Sequence, residues 1–463
     1  MASARRLQAL GIALAAGLAL APSFTTGFLA DDLYVVPKRL AMPAVSFWTE
    51  DYWAGYTLSG LYRPLGLSWL WLQKLAFGDS PAGYHLVSLG LHAGASWLLF
   101  LVLEPLWGAG ALAAALLFAV HPVHAEAVIP VYGQLDLLAA LLVLAAVLAC
   151  RAGRHPLGLL ALGAAMLVKE SAFAGVGLLW LIARPPWLVL ARYALLAVTA
   201  AGVRFAVLGS LLLPPDATVI GQHASLTLWA KSVIISLAHS IRLCIWPTGQ
   251  TVYYGHLRDS LMGMPVAEST WLATAALFAA SLWIVLPRRD LLLALGWFGI
   301  TVFPVSNLAP IGVLVAERSL YLTAAAVTML AAKARPPLLV LAGLVAIGAS
   351  WHVTYQWRTE QALWEYTAAA HPRSPKAHAM VGWSMVRQAE SENGGHRDRT
   401  LLQAEAAFDR ALALNPRSTD GLIGRAVVRW FTKGCDAARA DLEQALTVAP
   451  SDERLSPMLA DCR

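Results

Sequence analysis

Two histidines and two carboxylates interrupt an otherwise apolar stretch of the chain. The stretch AVHPVHAEAVIPVYGQLDLL, residues 119 to 138, contains His121, His124, Glu126 and Asp136. Residues three apart share one face of a helix, so the two histidines could chelate a metal ion, with a carboxylate as a further ligand. Two other roles are open: helix caps and buried polar groups of the fold, or the wall of a substrate cavity.

The order of residues within this stretch does not favour a metal site. Pro122 and Pro130 break the regular helix that would bring the histidines to one face. The spacing also differs from the H-E-x-x-H arrangement, which supplies two zinc ligands and a general base. We therefore assign no metal ligands, keep a divalent ion open as a cofactor, and favour the substrate-lining role.

A pair of adjacent acids ends the first apolar segment. Asp31 and Asp32 stand in FLADDLYVV, at the C-terminus of a predicted helix, where the helix dipole disfavours negative charge. A carboxylate in a partly desolvated site can have its pKa raised enough to accept a proton from a hydroxyl, so either acid could be a general base. The alternative is two solvated acids at the point where the chain leaves the membrane.

Three cations are predicted on the outer side of the membrane, against the usual charge distribution. They are Arg63 in LYRPLG, Lys169 in LVKES and Arg318 in VAERSLY. Each could hold a phosphate group, and arginine suits this role because of its forked donors. Glu170 and Glu317 lie beside two of them, so structural ion pairs are an equal alternative. The aromatic segment FWTEDYWAGY nearby is an interfacial belt or a platform for a sugar ring.

The composition is that of a membrane protein. Of the 463 residues, 58% are hydrophobic and 13% are charged, whereas soluble domains carry about 25% charged residues. The net charge of +6 lies mostly in short turns, which indicates membrane orientation and argues against nucleic acid as a partner. The first apolar run exceeds the core of a signal peptide, so we interpret it as a transmembrane helix. Segments of suitable hydrophobicity occur at 7–29, 84–103, 107–120, 135–150, 156–168, 171–183, 187–213, 270–287, 291–306, 318–332 and 337–352.

Positively charged residues predict the orientation of these segments. Lysine and arginine concentrate in short cytoplasmic loops, and their positions place the N-terminus in the cytoplasm. Eleven crossings then place the C-terminus outside, together with the loops 30–83 and 214–269. This requires residues 226–246 to lie as an amphipathic helix in the outer interface, with a full crossing as the alternative. The prediction is an all-α membrane domain over residues 1–356.

The last part of the chain, residues 357–463, has the composition of a soluble domain. Pro416 and Pro450 end similar phrases, AEAAFDRALALNP and AARADLEQALTVAP, 34 residues apart, which is the tetratricopeptide period. The pattern predicts a short α-solenoid that binds a peptide or protein, with a passive spacer as the alternative. Cys435 and Cys462 could pair in an oxidising compartment. The packing positions that fall in phase are Ala404, Phe408, Ala411, Ala438, Leu442 and Ala445.

Several motifs occur in a fixed order along the chain. They are FLADD, DYWAG followed by LYRPL, HPVHAEAV followed by DLLAALL, AAMLVKES, and FPVSNLAPIGVLVAERSLYL before the repeats. In this order they resemble the transmembrane and tetratricopeptide repeat O-mannosyltransferase-like family, which belongs to the GT-C superfamily of membrane glycosyltransferases. The resemblance covers nearly the whole chain. It implies an enzyme that transfers mannose or a similar hexose, with inversion, from a polyprenyl-phosphate donor to a Ser or Thr hydroxyl of an exported protein.

The resemblance also implies roles for individual residues. Asp31 or Asp32 would be the catalytic base, which deprotonates the acceptor hydroxyl. A leaving phosphate needs cations, and the candidates are Arg63, Lys169 and Arg318. The wider donor and acceptor site would include His121, His124, Glu126, Gln134, Asp136, Glu170 and Glu317.

The chain departs from the family pattern in two respects. Where relatives typically have G-R-A-D, this chain has Gln134 in place of the arginine, followed by Leu135 and Asp136, so a different donor head group is expected. The repeat array is also short. The alanine- and leucine-rich, lysine-poor composition indicates a bacterial inner or plasma membrane, in which a carrier other than dolichol, and another sugar, would be expected.

Two other classes of function stay open. A transporter or flippase of a lipid-linked anion predicts polar residues on both sides of the membrane and two related halves with broken helices, whereas the polar residues of this chain cluster on one side. A non-catalytic scaffold that presents the repeats explains the C-terminal module but leaves the acids and outer cations unexplained. Glycosyl transfer accounts for both features, and we favour it.

Overall fold

The protein is described by a computed structural model that covers residues 2–213, 225–254, 287–450, 452 and 454–461. All secondary structure in these residues is helical, so the predicted all-α fold is confirmed. The predicted crossing at 270–287 and much of the predicted loop 214–269 lie outside the described residues. The chain divides into two compact units. The first comprises Met1–Ala54, Leu58–Gln250 and Ser260–Arg358, and the second comprises Gly55–Thr57, Thr251–Asp259 and Thr359–Arg463.

Helices of seven or more residues are numbered here in chain order. Those of the first unit are α1 (Ala2–Leu20), α2 (Pro64–Phe77), α3 (Pro81–Trp107), α4 (Gly110–Ala119), α5 (Gln134–Arg151), α6 (His155–Val168), α7 (Trp187–Leu208), α8 (Leu226–Ile245), α9 (Arg288–Val302), α10 (Ala324–Ala331) and α11 (Pro336–Gln356). Those of the second unit are α12 (Glu360–Ala370), α13 (Pro375–Glu390), α14 (Gly394–Leu414), α15 (Thr419–Lys433), α16 (Cys435–Val448) and α17 (Leu455–Asp461).

Short helical turns join the numbered helices of the first unit. They are Ala21–Thr25, Asp32–Val35, Arg39–Ala41, Ser46–Thr49, Pro122–His124, Ala125–Val128, Val131–Gly133, Glu170–Phe173, Ala174–Leu178, Leu179–Ala183, Phe303–Val305 and Glu317–Leu320. Half of the twelve candidate site residues lie in these turns, namely Asp32, His124, Glu126, Glu170, Glu317 and Arg318.

Six described helices are long and apolar enough to cross a membrane, as expected for a multi-pass membrane protein. They are the helices at Ser3–Thr25, Pro81–Trp107, Val131–Arg151, Trp187–Leu208, Leu226–Ile245 and Pro336–Gln356. A seventh crossing results if the bent pair Gly110–Ala119 and Pro122–Val128 counts as one span. Because α8 is among the six, a full crossing suits its length and composition. The segment predicted as a crossing at 318–332 forms a 3₁₀ turn and then α10, which has 8 residues. The count of eleven crossings stays a prediction.

Small side chains let the helices of the first unit approach one another. Helix α4 packs against α1, α3 and α10 and buries Ala111, Ala114 and Ala115. Small residues are typical of helix contacts in membranes, because lipid provides no hydrophobic drive for association and close packing has to supply it. The larger apolar side chains of α7 and α11, such as Leu195 and Leu344, are exposed. These helices therefore present the lipid-facing surface that a membrane domain requires.

Two buried charged residues organise the segment between α1 and α2. The Arg39 side chain is fully buried and donates to the carbonyl oxygens of Tyr52 (3.1 Å), Ser46 (3.1 Å) and Asp51 (3.3 Å). The Asp51 carboxylate accepts from the backbone N–H groups of Trp53 (2.8 Å) and Gly60 (2.6 Å), among others. These bonds satisfy polar groups that would otherwise be costly to bury. They give the segment a fixed shape without regular secondary structure.

The second unit consists of helix pairs joined by short turns. Helix α13 packs against α14, and α15 packs against α16. The side chains of Thr359, Ser374 and Ser418 cap α12, α13 and α15 by accepting from a backbone N–H of the first turn. Cys435 is disulfide-bonded, while Cys462 lies outside the described residues. The six packing positions predicted from the sequence, Ala404, Phe408, Ala411, Ala438, Leu442 and Ala445, are all fully buried.

Candidate active site

Turns that connect the helices of the first unit surround a cavity of about 420 Å³, a size that suits a small-molecule site. Part of its wall is charged or aromatic and part is apolar. The charged and hydroxyl-bearing residues are Asp31, Ser59, Arg63, Lys169, Glu170, Ser171, Arg204, Arg318 and Ser319, and the aromatic residues are Tyr52, Trp53 and Tyr132. The apolar part consists of Leu61 and the segments 211–213, 304–305 and 309–313.

The two adjacent acids have different environments. Asp31 is half-buried and lines the cavity. Asp32 is fully buried, and its carboxylate accepts from the backbone N–H groups of Tyr132 (2.8 Å), Val131 (3.0 Å) and Leu29 (3.3 Å). Burial raises the pKa of Asp32 to about 7, although these hydrogen bonds oppose the shift. A helical turn begins at these residues, and successive side chains of a helix point about 100° apart. Asp31 therefore faces the cavity and Asp32 holds the turn beside it.

Two arginines on the cavity wall share one carboxylate. The Nε and Nη2 atoms of Arg63 each lie 2.9 Å from Glu170 Oε2. The Arg63 guanidinium also lies over the Tyr52 ring, 5.2 Å from its centroid. Arg204, on α7, donates to the Gly60 carbonyl oxygen at 2.6 Å, and its Nη1 lies 3.8 Å from Glu170 Oε1. Glu170 thus joins the segment before α2 to the membrane helix α7.

The other two cations of the wall each have a carboxylate partner. Lys169 Nζ donates to Asp136 Oδ2 at 2.5 Å. Burial lowers the pKa of Lys169 to about 8, and Asp136 limits that shift. The Arg318 guanidinium pairs with Glu126 Oε1, and the Arg318 backbone N–H donates to Glu126 Oε2 at 3.0 Å. Arg318 also lies over the Tyr132 ring, 5.0 Å from its centroid. Both pairs join parts of the chain that are distant in the sequence, 33 positions apart for Lys169 and Asp136 and 192 for Arg318 and Glu126.

Helix α8 holds one segment of the apolar wall, the chain around residues 304–313. The Trp229 indole N–H donates to the Leu308 carbonyl oxygen at 3.2 Å, and the Ser236 hydroxyl donates to the Val305 carbonyl oxygen at 3.2 Å. The Asn307 amide donates to the Leu314 carbonyl oxygen at 3.0 Å, which closes the segment on itself. The cavity therefore has a charged wall fixed by ion pairs and an apolar wall of which this segment is fixed to one helix.

The histidines of the opening motif do not converge on a common point. His121 Nε2 lies 3.0 Å from the Cys244 carbonyl oxygen, and its Nδ1 accepts from the Val123 N–H at 3.2 Å, so backbone groups engage both ring nitrogens. His124 is fully buried against the Phe118 ring, with 4.3 Å between the ring centroids. In the part of the chain that the structure describes, no group of three or more His, Cys, Asp or Glu side chains is arranged to hold a metal ion.

Gln134, where the family pattern has arginine, lies in a buried amide network. Its Oε1 accepts from Gln73 Nε2 (2.8 Å) and Trp69 Nε1 (3.0 Å), and its Nε2 donates to the Tyr84 carbonyl oxygen (3.0 Å). The side chain is fully buried and is absent from the cavity wall. An arginine could not accept these bonds, so the glutamine has a clear packing role here.

The predicted site residues therefore divide into three groups. Asp31, Arg63, Lys169, Glu170 and Arg318 line the cavity. Asp32, Glu126 and Asp136 bind residues of the wall from behind. His121, His124, Gln134 and Glu317 make other contacts, and Glu317 accepts from Gln250 Nε2 at 2.5 Å.

Arg204 is a cavity residue that our sequence interpretation missed. It lies within α7, in a segment whose overall hydropathy hid it. A charged residue inside a transmembrane segment is costly and commonly marks a functional cavity. That signal was available in the sequence. Arg192, an earlier residue of the same helix, is exposed. The sequence therefore does not reveal which of the two arginines lines the cavity.

The sequence matches curated proteins that are all named Protein O-mannosyl-transferase. It is 28% identical to Protein O-mannosyl-transferase TMTC4 of Mus musculus over 478 residues, which cover 80% of this chain and 63% of that protein. It is 28% identical to TMTC4 of Homo sapiens over 472 residues, 79% of this chain and 62% of that protein. A match to Protein O-mannosyl-transferase Tmtc1 of Drosophila melanogaster reaches 37% identity over 174 residues, 33% of this chain and 20% of that protein. The curated relatives are TMTC proteins.

The family resemblance inferred from the motifs is therefore confirmed by relatives that match most of the chain. The chain spans less than two thirds of the length of the TMTC4 proteins. No protein-family model matches the sequence, and no solved structure matches it.

Proposed function

We propose that this protein is a membrane glycosyltransferase that transfers mannose or a similar hexose from a polyprenyl-phosphate donor to a hydroxyl of a protein. One observation carries the proposal: a single cavity combines the half-buried carboxylate of Asp31, a cluster of arginines and an apolar wall. A lipid-linked sugar phosphate has matching parts, since its phosphate suits the arginines and its isoprenoid chain suits the apolar wall. The names of the TMTC relatives support the same reaction class.

The proposed reaction is an inverting displacement at the anomeric carbon. The acceptor oxygen forms a bond to that carbon while the bond to the phosphate oxygen breaks, and the phosphate leaves with the electron pair. The hydroxyl proton passes to the Asp31 carboxylate and later to water. The donor phosphodiester has one negative charge and the leaving monoester gains a second. Fixed cations aimed at this developing charge stabilise the transition state.

Each part of the cavity has a proposed role in this reaction. Asp31 is the general base because it faces the cavity, whereas Asp32 is occupied by three backbone N–H groups. Trp53 stacks on Tyr34, with 5.2 Å between their ring centroids, and offers a rigid aromatic face to a sugar ring. The segments 304–305 and 309–313 cover the first isoprene units. A divalent ion has no ligand set of three carboxylates, histidines or cysteines in the described residues, so no step is assigned to one.

The helix pairs of the second unit are proposed to bind the acceptor protein. Stacked helix pairs commonly present a surface for extended peptides. The disulfide at Cys435 favours an extracytoplasmic location for this unit, because such bonds persist in oxidising compartments. The proposed topology also places the N-terminus in the cytoplasm. The alanine- and leucine-rich composition supports a bacterial plasma membrane as the proposed location.

The proposal is tested by reconstituting the purified chain in lipid with polyprenyl-phosphate mannose, labelled in the sugar, and with acceptor peptides rich in serine and threonine. We expect labelled peptide and free polyprenyl phosphate in equal amounts from the wild type. Asp31→Asn should lose both products. Asp79→Asn is the matched control, because the Asp79 side chain is 78% exposed, and it should behave as the wild type. Label that moves across the bilayer without reaching a peptide would instead identify a flippase.

A further inference from the structure

The four cations of the cavity are not equivalent in charge. Lys169 and Arg318 each have a carboxylate of their own, Asp136 and Glu126 respectively, at hydrogen-bonding distance. Each of these two pairs has a net charge of zero. A neutral pair attracts an anion weakly, because the carboxylate repels the ligand that its partner attracts.

Arg63 and Arg204 share a single carboxylate. Both guanidinium groups face Glu170, with closest N···O distances of 2.9 Å and 3.8 Å. Burial alone would raise the pKa of Glu170, but the two arginines outweigh it and hold the pKa below its usual range. Glu170 is therefore ionised at neutral pH, and the three residues together have a net charge of +1. The positive charge available to a ligand lies at this cluster.

Hydrogen bonding indicates the same place. The Nε atom of Arg204 is buried and has no hydrogen-bond partner among the described residues, and the same holds for Glu170 Oε1. Arg204 Nη2 is fixed by its 2.6 Å bond to the Gly60 carbonyl oxygen, so the guanidinium has a set orientation with a donor to spare. Leaving such donors unpaired is costly in a folded protein. Arg204 lines the cavity, and its Nη1 lies 3.8 Å from Glu170 Oε1, beyond hydrogen-bonding distance, so the guanidinium can accept a ligand oxygen there without losing a hydrogen bond.

We infer that Arg204, together with Arg63, is the binding site for the phosphate of the lipid-linked donor, and that it accommodates one phosphate rather than two. The inference rests on the proposed function and makes it more specific. Lys169 and Arg318 then shape the wall and do not hold the phosphate. The forked donors of two arginines suit a phosphate group, and a net charge of +1 matches the single charge of a phosphodiester.

The site is tested by direct binding, which does not depend on catalysis. Farnesyl phosphate and farnesyl diphosphate are titrated into the purified full-length chain in detergent, and affinity is measured by calorimetry. The variants are Arg204→Gln, Arg204→Lys and Glu170→Gln, with Arg192→Gln as the matched control on the exposed face of the same helix. Thermal unfolding of each variant identifies any that has lost its fold.

We expect Arg204→Gln to weaken farnesyl phosphate binding about tenfold or more, since it removes a charge-assisted hydrogen bond. Arg204→Lys should give a smaller loss because it keeps the charge but not the fork. Glu170→Gln should bind at least as tightly as the wild type, because it raises the net charge of the cluster, and it should improve diphosphate binding most. Arg192→Gln should have no effect. If Glu170→Gln weakens binding as much as Arg204→Gln does, Glu170 and Arg204 are only structural and the inference fails.

The inference and the proposed function can fail separately. Binding that depends on Arg204, in a protein that transfers no sugar, would keep the phosphate site and refute the glycosyltransferase. Sugar transfer in which Arg204→Gln leaves both the donor KM and farnesyl phosphate affinity unchanged would keep the enzyme and refute this site. A folded wild type that binds neither probe would refute the site as well.

Discussion

The two adjacent acids allow a sharp test, because one chemical change can be made at either position with opposite expected results. Asp31→Asn and Asp32→Asn each replace a carboxylate by an amide of the same shape. Asp31 lines the cavity, and Asp32 is buried behind it. We expect the first variant to lose transfer and keep its stability, and the second to lose stability.

The size of the stability loss follows from the hydrogen bonds of Asp32. Its two oxygens accept from three backbone N–H groups at 2.8, 3.0 and 3.3 Å, whereas an asparagine side chain has one acceptor oxygen. At least one buried N–H then loses its partner, at a cost of about 1 to 3 kcal/mol. For a domain of about 350 residues we expect the unfolding midpoint to fall by about 1 to 4 °C.

The pH dependence of stability provides an independent test of the buried position of Asp32. Burial raises the pKa of Asp32 to about 7 from its ordinary value of 3.8. The folded protein then holds a proton that the unfolded chain releases, so the contribution of this group to stability is fully present below about pH 4 and declines as the pH rises to about 7. Asparagine does not titrate. The stability gap between the wild type and Asp32→Asn should therefore narrow over this pH range.

The Asp31 variant should show the opposite behaviour. A half-buried residue outside the core usually changes stability by less than about 0.5 kcal/mol, so its unfolding midpoint should match that of the wild type within about 1 °C. Loss of a general base lowers the transfer rate by about 10² to 10⁴. The assays are thermal unfolding in detergent and single-turnover sugar transfer, with Asp79→Asn as the control. Transfer that survives Asp31→Asn and is lost in a stably folded Asp32→Asn would refute the assignment of the base.

Three further results are expected. As the pH rises through about 8, Lys169 loses its proton and leaves the Asp136 charge uncompensated, so the donor KM should rise; a KM that is constant between about pH 7 and 9.5 would contradict this. Asp51→Asn weakens the four hydrogen bonds that shape the segment before α2, so limited proteolysis between residues 53 and 60 should become faster. An unchanged rate would show that the hydrogen bonds of Arg39 are sufficient to hold the segment in shape. Gly133→Ala places a Cβ 2.5 Å from the Ala127 carbonyl oxygen and should lower stability by about 1 to 3 kcal/mol, while Gly90→Ala, with open space around it, should not.

The sequence predicted which turns carry the chemistry, because charged residues stand out in an apolar chain. Asp31, Arg63, Lys169 and Arg318 were found in this way, and all four line the cavity. It could not predict how they pair. Arg318 binds a carboxylate 192 positions away, and Arg63 binds one 107 positions away, and no local pattern encodes partners at such separations.

Three other features of the site were not resolved by the sequence, and each has a physical cause. Gln134 was expected at the donor because an arginine is typical there, but its amide is needed by Gln73 and Trp69 in the buried network. The choice between the two adjacent acids depended on the direction of a single helical turn, which residue type does not reveal. For Arg204, the hydrophobic residues around it dominated the interpretation of the segment.

The pairing of Glu126 with Arg318 sets a condition on how this protein is made. A ribosome adds about 5 to 20 residues per second, so Arg318 is synthesised about 10 to 40 s after Glu126, given their separation of 192 positions. During that interval Glu126 lacks the cation with which it pairs in the folded protein. The contact between the turns Ala125–Val128 and Glu317–Leu320 can therefore form only after translation has passed Arg318. The charged wall of the cavity is therefore completed only late in biogenesis, after most of the membrane domain has been synthesised.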